Sequence, residues 1–106
     1  MKECDTFWVH LLVGVPDNMT DAEFRTILGD YTRQYGVTAN YTRMPVCHGG
    51  DEECFTVTMI NHPDGPDVRG HAEKLALYLL GPCKQHKITV QFPKTTYDVV
   101  EGDLCL

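Results

Sequence analysis

The segment FWVHLLVGVP, residues Phe7 to Pro16, carries two different rows of side chains. Its mix of β-branched and aromatic residues predicts a strand, and alternate residues of a strand point to opposite faces. Phe7, Val9, Leu11, Val13 and Val15 form one apolar row. The second row is Trp8, His10 and Leu12, not the polar surface of a one-sided strand. That second face is therefore expected to touch something besides water.

The elements that follow identify the first face. Thr20-Asp21-Ala22-Glu23 is a capping box: the threonine hydroxyl accepts from a free backbone N–H and the glutamate reaches back. Phe24, Ile27, Leu28, Tyr31 and Tyr35 follow at helical spacing, and Gly36 is a natural stop. Residues 37–46 read as a second strand, with Pro45 suited to an edge. Residues 48–53 read as a turn. Residues 54–61 read as a third strand, with Phe55, Val57 and Met59 on one side and Thr56, Thr58 and Ile60 on the other. Val68, Ala72, Leu75, Ala76 and Leu79 form the stripe of a second helix that Pro66 can open and Gly81-Pro82 ends. Residues 87–92 read as a fourth strand. The tail from Pro93 contains Tyr97-Asp98-Val99-Val100, a candidate short fifth strand.

The order β-α-β-β-α-β resembles the ferredoxin-like arrangement. The resemblance is one of architecture and implies an α+β single domain over residues 1–106. Two helices would cover one face of a four-stranded antiparallel sheet of order 4-1-3-2. The row starting at Phe7 then lies under the helices. Trp8, His10 and Leu12 lie in mid-sheet on the uncovered face, flanked by Thr56, Thr58 and Ile60. An apolar centre inside a threonine, asparagine and glutamine surround is the pattern of a contact site.

Charge and composition narrow the partners. The chain has a formal net charge of -6, and its nine lysines and arginines are scattered. A nucleic-acid partner is not expected, because phosphate binding needs clustered cations. RNA modules of this architecture stack bases on aromatics of both central strands. Trp8 is suitably placed, but the third strand offers Thr56 and Thr58. No segment approaches the roughly 20 apolar residues of a membrane span, and the start Met-Lys-Glu-Cys-Asp-Thr does not read as a signal peptide. A cytoplasmic protein is expected, with its five cysteines mostly reduced.

Two functional classes follow. The first is a non-catalytic protein-interaction module, an inhibitor or regulator of a partner enzyme of the kind that phages encode. It would bind a protein partner or its own copy as a homodimer. The binding residues would be Trp8, His10, Leu12, Thr56, Thr58 and Ile60, with the acidic hairpin Asp51, Glu52 and Glu53 supplying charge complementarity. The second is a small dimeric enzyme of ferredoxin-like fold acting on an organic molecule, a cofactor-independent monooxygenase or an isomerase. It would enlist His10, Asn40, Tyr41 and Arg43, since a strand histidine can act as general base. No cofactor is expected. A zinc site built from Cys47, Cys54, Cys83 and His86 is the less favoured reading, because C-x6-C and C-x2-H match no familiar zinc spacing.

Overall fold

A computed structural model describes residues 1–47 and 51–102, with the side chains of Val46, Cys47 and Asp51 outside the description. The elements in chain order are β1 (Trp8–Gly14), α1 (Asp21–Tyr35), β2 (Ala39–Cys47), β3 (Asp51–Ile60), α2 (Val68–Leu80), β4 (Lys87–Phe92) and β5 (Thr95–Val100).

The sheet is antiparallel and ordered β2-β3-β1-β4-β5. The expected sheet of four strands therefore has a fifth, and β4, expected at the edge, is an inner strand. The physical reason lies in the tail. Tyr97 and Val99 pair with Val90 and Ile88 on the helix side. Val99 is buried, and Tyr97 stacks on Phe92 with ring centroids 5.7 Å apart. Residues 95–100 thus extend the core beneath α2. Residues 51–53 also differ from the expected turn. They pair with Cys47, Val46 and Pro45, so the acidic stretch belongs to a strand.

The two helices start as their sequences dictate. Thr20 caps α1, its hydroxyl accepting from the Glu23 backbone N–H at 3.1 Å. Asp67, not Pro66, begins α2 by accepting from the Arg69 N–H at 3.1 Å, which leaves the proline outside the helix. Gly36 ends α1 in the left-handed region at φ 67°, where a side chain would be strained.

The core is the helix-side row of every inner strand. Val9, Leu11, Val13, Phe55, Val57 and Met59 are fully buried against Phe24, Ala72, Leu75 and Leu79. Phe24 of α1 lies flat on Phe55 of β3, with centroids 3.9 Å apart. Tyr31 joins the two helices through a 2.9 Å hydrogen bond between its hydroxyl and His71 Nδ1.

Candidate functional site

The uncovered face is built from the second row of each strand. Register places Trp8 beside Ile60, His10 beside Thr58 and Leu12 beside Thr56. Asn40, Thr42 and Met44 extend the face through β2, and Thr89 and Gln91 through β4. The expected binding set Trp8, His10, Leu12, Thr56, Thr58 and Ile60 is thus one contiguous patch. His10 shares a 2.9 Å hydrogen bond with Thr58 Oγ1 and packs on the Trp8 ring at 4.7 Å. The imidazole therefore has a fixed orientation.

Charge is almost absent from this face. Its acids and bases gather at the end where β1 finishes: Glu52, Lys87 and Asp98. Asp98 accepts from Thr89 at 2.5 Å and faces Lys87 Nζ at 3.7 Å. Glu52 is exposed and makes no hydrogen bond or ion pair among the described residues.

Strand alternation divides the two glutamates of the acidic stretch. Glu53 falls on the helix side and binds Arg43, whose Nε donates to it at 2.6 Å. Arg43 Nη1 also donates to Asp21 at 3.1 Å and to the Met19 carbonyl at 3.3 Å. Hydrogen bonds to Glu53 and then Asp21 push the guanidinium further up from its ordinary value. Tyr41 lies on the same side, its hydroxyl donating to the Asp21 carbonyl at 3.3 Å. The enzyme set is therefore split: His10 and Asn40 stand on the open face, Tyr41 and Arg43 on the helix face.

The four residues weighed as zinc ligands also diverge where they are described. Cys83 is fully buried in the core, and burial pushes its thiol up to about 11. His86 points to solvent and meets Glu101 at 3.2 Å. Cys54 is half-buried on the open face, and burial raises its thiol as well. The Cys47 side chain lies outside the described residues, as does that of Asp51. Among the described residues no cluster of three or more potential ligands forms.

Two grooves meet at the end of β1. One, of about 660 Å³, runs over the open face and is floored by Leu12, Met44, Cys54 and Thr56. The other, of about 530 Å³, lies beneath the loop from Val15 to Asn18 and reaches Arg43. Gly14, Glu52, Glu53 and Gln85 belong to both. Gly14 admits the Gln85 side chain: a Cβ there would stand 2.6 Å from Gln85 Oε1. Gln85 is held over the strand end by donating through Nε2 to the Cys83 carbonyl at 2.9 Å. Sequence reasoning missed Gly14, Asp17 and Gln85. Gly14 follows Leu12 in the second row of β1 without a side chain, which was the available signal.

No family model and no curated protein matches the chain. Two solved structures share its fold. A phage SAM lyase in its apo state is 16% identical, superposes with a TM-score of 0.70, and the match covers 93% of this chain and 92% of that one. A phage SAM lyase in complex with S-methyl-5′-thioadenosine is 13% identical with a TM-score of 0.65, covering 94% and 93%. At these identities the likeness is one of fold, over nearly the full length of both chains. No helix among the described residues is long and apolar enough to cross a membrane.

Proposed function

We propose that this chain binds and cleaves a sulfonium nucleoside of the S-adenosylmethionine type in the groove over Leu12, Met44 and Glu52. The observation that carries the reading is that groove itself. It joins an apolar floor, suited to a nucleoside face, to a carboxylate without a hydrogen-bond or ion-pair partner among the described residues, suited to a cation. Support comes from the fold shared end to end with a phage SAM lyase, one structure of which holds S-methyl-5′-thioadenosine. That molecule is S-adenosylmethionine without its amino-acid arm. Forming it requires breaking the sulfonium C–S bond on the arm side: the bonding pair goes to sulfur to make a neutral thioether, and the arm's own carboxylate oxygen bonds to the carbon that sulfur leaves, closing a lactone. Glu52 would hold the cationic sulfur by direct charge attraction, stronger here than in bulk water because the groove floor is apolar.

The test is incubation of the purified protein with S-adenosylmethionine and chromatographic assay of S-methyl-5′-thioadenosine. The wild type is expected to release it, and Glu52→Gln to lose about 10- to 100-fold in kcat/KM, the usual loss of a charged contact. No release, together with no shift of thermal unfolding by either compound, rules the reading out.

A second reading, association through the open face with a protein partner or a second copy, has its own observation. Met44, Ile60 and Val100 are exposed large apolar residues, and register sets all three on that face. A chain of formal charge -6 repels its copies except where charge is missing, and the middle of this face lacks it. An inhibitory or regulatory module of phage type would use the same surface.

A further inference from the structure

We infer that the second groove, beneath the loop from Val15 to Asn18, is the subsite for the amino-acid arm of that substrate, with Asp17 and Arg43 as its recognition residues. The inference rests on the function proposed above and adds the division of the ligand between the two grooves.

The chemistry of the walls makes the division. The groove on the open face has an uncharged floor of Leu12, Met44, Cys54 and Thr56, and its charged lining residues are Glu52, Glu53 and Lys87, with no arginine among them. The groove under the loop presents Asp17, Asn18, Arg43, Glu52 and Glu53. A nucleoside has apolar faces, whereas an amino-acid arm is a zwitterion that needs both signs of charge within a short span. Only the second groove has a guanidinium beside carboxylates. A guanidinium carries five N–H donors in a fixed fork. Here Nε and one Nη2 donor go to Glu53, and the two Nη1 donors go to Asp21 and the Met19 carbonyl. The side chain is therefore held in place, and one Nη2 donor has no partner among the described residues and can meet the carboxylate of an arm. Asp17 is exposed and makes no hydrogen bond or ion pair among the described residues, so it is available to an ammonium group.

The junction supports the same order. Gly14, Glu52 and Gln85 line both grooves, so a molecule lying in the two crosses Glu52 at its middle. In S-adenosylmethionine the middle is the sulfonium. The absence of a Cβ at Gly14 lets the Gln85 amide lie against the strand end, where it forms one wall of the junction.

Titration calorimetry with S-adenosylmethionine and with S-methyl-5′-thioadenosine, which lacks the arm, tests this. Asp17→Asn and Arg43→Lys are each expected to weaken S-adenosylmethionine by about tenfold and to leave S-methyl-5′-thioadenosine within about twofold. Met44→Glu, on the floor of the other groove, is expected to weaken both. Equal loss of both ligands in Asp17→Asn and Arg43→Lys, or no loss of either, overturns the subsite while the functional reading stands on the wild-type binding. Failure of the wild type to bind either ligand overturns both.

Discussion

Tyr31 shows how much one side chain can depend on its surroundings. It is a buried member of the α1 stripe, with Phe24 and Leu28, and its ring packs on Tyr35 at 4.6 Å and on Tyr78 at 5.4 Å. Burial, with a further contribution from Tyr35, raises its phenol to about 12. The folded protein thus holds this proton more tightly than the unfolded chain, whose tyrosine ionises near 10. The stabilisation is complete below about pH 10 and is lost as pH rises from there towards 12. Denaturant unfolding at pH 9 and pH 11 should show a larger drop for wild type than for Tyr31→Phe. Equal drops would mean the phenol is not the titrating group. At neutral pH the same substitution removes the hydrogen bond to His71 and should cost about 0.5–1.5 kcal/mol. The sequence placed Tyr31 in a helical stripe. It held no sign of His71 as a partner, because the two are 40 positions apart.

The elements were the most legible part of the chain, since capping and periodicity act over a few residues. The Thr20 cap is one such local signal, and Thr20→Ala should lower stability by about 1 kcal/mol in chemical denaturation. A change below about 0.3 kcal/mol would show that packing of Phe24 on Phe55 holds α1 without the cap. Strand parity in β1 and β3 was equally readable and put Trp8, His10, Leu12, Thr56, Thr58 and Ile60 on one face. Aspartate and glutamate are poor strand formers, so the acidic stretch beside Gly49-Gly50 reads as part of a turn. Pairing to β2 overrides that preference and sends Glu52 and Glu53 to opposite faces. The same alternation separates Tyr41 and Arg43 from His10 and Asn40.

For the molecule as a whole, the distribution of charge decides where contact is allowed. The helix side carries Asp21, Glu23, Arg33 and Glu73, while the centre of the sheet's other side is neutral. If the open face joins copies, sedimentation of the wild type should report an assembly. Ile60→Lys should then convert it to monomer by burying an unpaired charge. A wild-type monomer, or an unchanged assembly in Ile60→Lys, removes the face as a self-association surface.

What the order of residues settled was local or periodic: the strand rows, the helix starts, the sequence of elements and the excess of negative charge. Each depends on neighbours within a turn or a pleat, where propensity and periodicity act. What needed the folded chain was convergence. The fifth strand docks on β4 because distant residues supply its core contacts, and Gln85 meets Gly14 only once the sheet is assembled. The two grooves join at Glu52 because register, not spacing along the chain, sets which side chains share an end of the sheet.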